Sequence, residues 1–93
     1  VATVSVGDFE WDETKARANQ RKHGVAFAEA VTVFLDPRAI DAPDLEHPDR
    51  FVVIGRAASS RVLFVVYVER RDRVRLISAR KASAAQRRIY EEG

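Results

Sequence analysis

Lys22-His23, Tyr67, Glu69-Arg70, Arg75 and Arg80-Lys81 are the residues of this chain whose types could do chemistry, and most of them are fixed positive charges. A guanidinium presents a planar fork of donors that matches the oxygens of a phosphate, and it can stabilise charge growing on phosphorus during a displacement. Histidine exchanges a proton near neutral pH, so His23 could donate or accept one, while at a helix C-terminus its more ordinary role is to meet the last carbonyls and the helix dipole. On strand geometry Tyr67 and Glu69 share a face, while Arg70 takes the other face or the turn. Each charge taken alone reads more readily as a solvated side chain with a buried stem. Clustering from Val74 to Arg88, where Arg75, Arg80, Lys81, Arg87 and Arg88 follow one another, favours an anionic partner.

Charge distribution agrees. Residues 61–93 carry nine basic against four acidic side chains, whereas residues 1–60 carry seven against ten, and the net +2 of the whole conceals this asymmetry. An uneven split of this kind points to nucleic acid or another charged partner. Other chemistries are poorly supported. The chain has no cysteine, which removes disulfides, thiolate nucleophiles and thiolate metal sites. No serine stands in a nucleophile elbow, and the four glycines are too scattered for a phosphate loop. His47 lies in the acidic run Asp44-Leu45-Glu46-His47-Pro48-Asp49, which reads as a solvated loop because it lacks a fixed ligand spacing. No metal or cofactor is expected.

The elements that must position these residues follow from periodicity and caps. With 93 residues, 46% hydrophobic and 32% charged, the chain is expected to be one soluble domain over 1–93, with a surface site rather than a deep pocket. No apolar run approaches the ~18 residues of a membrane span. Val1 to Gly7 lacks the regions of a secretory signal, so a cytoplasmic location is expected. Phe9 and Trp11 flank Glu10 in a short alternating run that predicts an edge strand. Asp12 is a candidate N-cap for a helix over 13–23, closed by Gly24. That helix is polar, with Trp11, Lys15, Ala18 and Lys22 along one stripe and Asn19 beside it; Trp11 is expected to anchor it to the core rather than to stack on a base.

Phe27, Ala30, Val31 and Phe34 fall at i, i+3, i+4 and i+7 and predict a core helix that Asp36-Pro37 ends. Ala39-Ile40 suggests a short strand before the acidic loop. Strands are predicted at Phe51 to Arg56, at Val62 to Val68 and at Arg73 to Arg80, with turns at Ser59-Ser60 and Arg71-Asp72. Val62 to Val68 is apolar on both faces and is expected at the centre of an antiparallel sheet. Ser83 and Gln86 form a capping box for a last helix with Ala85 and Ile89 inward. The expected fold is α+β, with three to four antiparallel strands, two N-terminal helices and one C-terminal helix.

Two segments taken together resemble the BrnT family, the toxin half of the BrnT/BrnA type II toxin–antitoxin system. One is Phe9-Glu10-Trp11-Asp12, Lys15-Ala16, Asn19, Lys22-His23-Gly24-Val25-Ala26-Phe27 and Glu29-Ala30. The other runs from Arg61 through Val65-Val66-Tyr67, Glu69-Arg70 and Arg73-Val74-Arg75 to Ile77-Ser78-Ala79-Arg80-Lys81-Ala82-Ser83, ending at Tyr90-Glu91-Glu92-Gly93. The resemblance implies a fold like that of the RelE-type ribonuclease toxins and RNA cleavage that halts translation. It also implies a BrnA-like ribbon-helix-helix antitoxin in a heterotetramer, which alone brings the pair to operator DNA. Carried onto this chain, it places Arg80 and Arg70 on the phosphate, Glu69 or His23 as proton acceptor and Lys22 as a further positive contact. Lys15, Tyr67, Arg75 and Lys81 are then expected to bind RNA. The alternative is a non-catalytic nucleic-acid-binding or partner-binding module using the same basic face. Two departures stand out: Ala26 occupies a position where the family usually has a serine-like residue, and residues 1–8 lie outside the resemblance.

Overall fold

A computed structural model describes residues 2–93; Val1, the first residue of the expected extension, lies outside the described residues. The remainder of that extension is not loose. Thr3–Val6 forms a strand, β1, that pairs antiparallel with β2, Phe9–Asp12. Gly7, at φ 57°, and Asp8 make the two-residue turn between them, and the left-handed backbone there suits glycine. Phe9 to Asp12 is therefore a strand but not an edge; β1 is the edge.

The chain continues through α1 (Glu13–His23), α2 (Phe27–Ala30), a 3-10 segment (Val31–Leu35), β3 (Ile40–Pro43), β4 (Phe51–Arg56), β5 (Val62–Arg70), β6 (Arg73–Lys81) and α3 (Ala84–Glu92). One six-stranded sheet results, in the order β1-β2-β6-β5-β4-β3. It is mixed, because β2 runs parallel to β6, with Phe9 opposite Val74 and Glu10 opposite Arg75. The expected three to four antiparallel strands thus account for β3 to β6 and the expected first strand for β2, while β1 and the parallel β2–β6 pairing lie outside the expectation. β5 and β6 together hold the centre, which explains why β5 is apolar on both faces.

Both ends of α1 are capped as expected. Asp12 Oδ1 accepts from the Lys15 amide at 3.0 Å, and Gly24, at φ 70°, donates its N–H to the Gln20 carbonyl. The inward stripe differs from the expected one. Ala16, Asn19 and His23 face the protein, while Lys15, Ala18 and Lys22 are exposed. Adhesion of this polar helix comes from Asn19, which is buried and makes three hydrogen bonds. Its Nδ2 donates to the carbonyls of Val25 at 3.0 Å and Ala79 at 2.8 Å, and its Oδ1 accepts from the Ala79 amide at 3.1 Å. One side chain thus ties α1, the turn after it and β6 together.

The predicted core helix is a single α turn that tightens into a 3-10 segment. Phe27, Ala30 and Val33 are its buried residues, a repeat of three, whereas Val31 and Phe34 are half-buried. Ala26 takes the extended N-cap conformation without a side-chain hydrogen bond.

Helices α1 and α2 cover one face of the sheet. Leu63, Val65 and Tyr67 of β5 and Leu76 and Ala79 of β6 meet Trp11, Val25, Phe27, Ala30 and Val33 there. Trp11 is buried edge-on against Phe27, with centroids 6.0 Å apart, as an anchor and not a stacking platform. On the other face α3 packs a smaller cluster of Ile54, Val62, Phe64 and Tyr90. The capping box of α3 is present, but its inward residues are Gln86 and Tyr90; Ala85 and Ile89 point outward.

Candidate functional site

Three arginines of the basic segment meet different surroundings. Arg61 is clamped by Glu29, donating from Nε at 2.9 Å and from Nη2 at 2.5 Å, and it also reaches the Gly24 carbonyl at 3.1 Å. That hydrogen bond to Arg61 holds the Glu29 carboxyl below the usual carboxylate range, against the opposing effect of partial burial, and Ser59 Oγ adds a further bond. Arg75 is paired with Glu10 across the parallel β2–β6 junction at 2.7 Å. Arg80 has no carboxylate partner among the described residues. Its guanidinium lies 4.5 Å from the Phe64 ring centroid and donates to the Gln86 side-chain carbonyl at 3.2 Å and the Lys81 carbonyl at 3.3 Å. These contacts fix the fork but leave its positive charge uncompensated.

Gln86 links this arrangement to sequence. Its Oε1 also accepts from the Ser83 amide in the capping box, so the start of α3 and the orientation of Arg80 depend on one side chain.

The remaining candidates divide between two ends of the β5–β6 pair. Lys81 lies opposite Leu63 at one end. Lys22 and His23 belong to the same end, because Gly24, the next residue, receives Arg61 just before β5 begins. An open cleft of about 560 Å³ lies here, lined by Ser59, Ser60, Arg61, Lys81 and Arg87 among others. Glu69, Arg70 and Arg75 stand at the opposite, hairpin end, where Arg70 pairs with Arg73 across the Arg71-Asp72 turn. A second open cleft of about 530 Å³ lies there, among Asp8, Glu10, Arg70, Arg71, Arg73 and Arg75. From Leu63 to Arg70 is seven residues of strand, about 23 Å at a rise of about 3.3 Å per residue.

That separation bears on the expected catalytic set. Arg80 sits opposite Phe64, five strand residues or about 17 Å from Glu69. Glu69 moreover projects on the face of Leu63, Val65 and Tyr67, and Arg80 on the other. Glu69 and Arg80 therefore do not converge on one phosphate, and neither do Arg70 and Lys22. Lys22, His23, Arg80 and Lys81 stand toward one end of the strand pair, Lys81 and α1 on the Leu63 face and Arg80 on the α3 face, while Glu69 and Arg70 stand at the other end.

Tyr67 is not available to RNA. Its ring stacks on Phe51 at 5.6 Å, meets Phe34 edge-on at 5.2 Å, and its hydroxyl donates to Asp41 Oδ2 at 2.6 Å. Burial, reinforced by Asp41, raises its pKa far above the ordinary phenol value. It is a core residue whose β-strand spacing resembled a surface aromatic. Lys15 is exposed on α1, and His47 makes only a local contact with Asp44 at 3.5 Å.

Asn19 and Gln86 were not among the expected site residues, yet they position the backbone and side chain of the Ala79-Arg80 segment. The available signal was Asn19 as a polar residue beside a helix stripe, and Gln86 as a capping residue six positions after an arginine.

The family described as the ribonuclease toxin, BrnT, of type II toxin-antitoxin systems matches residues 11–86. A crystal structure of the Brucella abortus ribonuclease toxin, BrnT, at 1.1 Å resolution is similar to this fold with a TM-score of 0.66 and 29% identity, over 78% of this chain and 92% of that one. No curated protein sequence matches. Among the described residues no helix is long and apolar enough to cross a membrane. The extent of the family match, from the buried Trp11 to the Arg80 partner Gln86, decides the assignment: this chain belongs to the BrnT family of ribonuclease toxins of type II toxin–antitoxin systems.

Proposed function

We propose that the protein cleaves RNA without a metal ion by attack of a 2′-hydroxyl on the adjacent phosphate, with the Arg80 end of the sheet holding the scissile group. The observation that carries this reading is Arg80, whose guanidinium rests on Phe64 and Gln86 and meets no carboxylate among the described residues. In the reaction the 2′-oxygen loses its proton and bonds to phosphorus, the bond to the 5′-oxygen breaks, and that oxygen takes a proton. A 2′,3′-cyclic phosphate and a 5′-hydroxyl end result. Arg80 would stabilise the charge on the phosphorane, and Lys81 and Lys22 as further cations, with His23 as the proton carrier, would approach it from the other face around the same end of the sheet. Arg70 and Lys15 would hold more distant phosphates, which position the chain without reading sequence, whereas the Arg75 charge is taken up by Glu10.

In this reading cleavage halts translation in the cytoplasm, and the antitoxin is a BrnA-like ribbon-helix-helix protein that forms a heterotetramer with the toxin and brings it to operator DNA. Support for the partner comes from membership of a toxin–antitoxin family. The decisive experiment incubates purified toxin with RNA in the presence of EDTA. Cleavage that persists and leaves cyclic phosphate ends agrees with the proposal. Cleavage abolished by chelation and restored by a divalent cation would sink it, and binding without cleavage would favour a non-catalytic module.

A further inference from the structure

The face of the sheet that carries Arg80 is only half covered. Tyr90 of α3 closes over Ile54, Val62 and Phe64, but the next apolar residues on that face, Val52, Val66 and Val68, pack against neither hydrophobic cluster. They are contiguous, since Val52 pairs with Val66 and Val68 follows two residues on along β5. All three are half-buried, and among the described residues neither cluster includes them. Arginines bracket the strip. Arg80 stands opposite Phe64 at one end, and Arg70 closes the other beside the hairpin turn. Phe64 to Arg70 is six residues, about 20 Å of strand, which matches about 13 residues of helix at 1.5 Å each.

We propose that this strip is the seat of an amphipathic helix of the antitoxin, lying beside α3, its apolar stripe on Val52, Val66 and Val68 and its acidic residues meeting Arg80 and Arg70. The proposal rests on the toxin–antitoxin reading of the family. Charge and shape both argue for such an occupant. The rim is cationic, and an acidic helix would be steered to it and held in register by it. α3, a capped helix laid on the adjoining half of the same face, shows that the pleat accepts a helix there. The strip suits a protein better than RNA. Unpaired bases bind by stacking on aromatic rings, and the two aromatic side chains on the adjoining half of this face, Phe64 and Tyr90, already carry the Arg80 and Arg56 guanidinium groups on their rings. Valine methyls instead match the leucine or isoleucine edge of a helix. A helix seated there would cover Arg80, so binding and neutralisation would be one event.

The test uses wild-type toxin with methyl-labelled valine, titrated with a full-length BrnA-like ribbon-helix-helix antitoxin and, separately, with a single-stranded RNA oligonucleotide. The methyl signals of Val52, Val66 and Val68 are expected to shift on antitoxin binding while those of Val25, Val33 and Val65, buried on the other face, hold. A Val66→Glu variant, which places like charge in the path of the acidic helix, is expected to bind antitoxin at least about 100-fold more weakly, with its melting temperature read alongside. Antitoxin that binds without moving the three methyls, or does not bind, overturns the inference, as does a strip that responds to RNA alone. If Val66→Glu fails to fold, the methyl titration of the wild type decides. RNA cleavage by free toxin is read independently, so an inactive toxin whose strip closes on the antitoxin would end the catalytic proposal and leave this one standing.

Discussion

Arg80 differs from Arg61 and Arg75 in what stands opposite it: an aromatic ring and two carbonyls rather than a carboxylate. Arg80→Ala is therefore expected to lower the cleavage rate by about 10²- to 10³-fold, the scale of losing one preorganised contact to a developing charge, with thermal unfolding little changed. Single-turnover cleavage and a melt on the same preparation check it, and a variant that cleaves normally would remove Arg80 from the mechanism. Tyr67→Phe should do the reverse, costing about 1 kcal/mol of stability through the lost Asp41 bond and leaving cleavage intact. Residue types alone could nominate these side chains but not sort them. Arg75 and Glu10 are separated by 65 residues, and only the parallel strand pairing reveals that they cancel.

Elements were readable where their causes are local. The Asp12 and Gly24 caps, the Ser83 to Gln86 box, and the strands β4 to β6 follow from patterns a few residues long. The hairpin β1–β2, its parallel docking on β6 and the 3-10 segment do not, because each depends on tertiary neighbours that a window of sequence omits. Ala26 offers an element-scale test. Its backbone already has the N-cap conformation without a side-chain acceptor, so Ala26→Ser is expected to stabilise the protein by about 1 kcal/mol, read as a higher urea midpoint at constant slope. Asn19→Ala should cost about 3 kcal/mol, since it leaves the Ala79 amide and two carbonyls without their buried partner. The Glu29 clamp on the 57–61 turn predicts a pH effect. Its folded pKa is depressed, so the pair stabilises fully above the unfolded carboxylate value of about 4.3 and the contribution fades as pH falls through the lower folded value. Glu29→Gln should accordingly lose less melting temperature than wild type between about pH 5 and pH 3. Equal losses would mean that the pair is not linked to folding.

At the scale of the whole molecule, the basic half of the chain becomes two cationic ends about 23 Å apart rather than one site. Sequence showed the excess of charge but could not show this, because a hairpin folds Arg70 to Arg75 away from Lys81 and Arg87 while they remain near in number. If the scissile phosphate sits at the Arg80 end, the hairpin end contributes electrostatic binding alone, and the two roles separate experimentally. Neither Arg70 nor Arg71 is paired with a carboxylate among the described residues, so both are free to neutralise phosphates. Replacing both by alanine should reduce the dependence of log Kd on log salt by about 1.4, near 0.7 for each phosphate contact with a single strand, and leave kcat at saturating RNA close to wild type. Glu69→Gln should likewise leave kcat in place, whereas His23→Gln should lower it with Arg80→Ala. The measurement is kcat and Kd for one RNA across a salt series. A kcat for the Arg70→Ala, Arg71→Ala double variant as low as that of Arg80→Ala would move the scissile phosphate to the hairpin end and reassign Glu69 as the proton acceptor there.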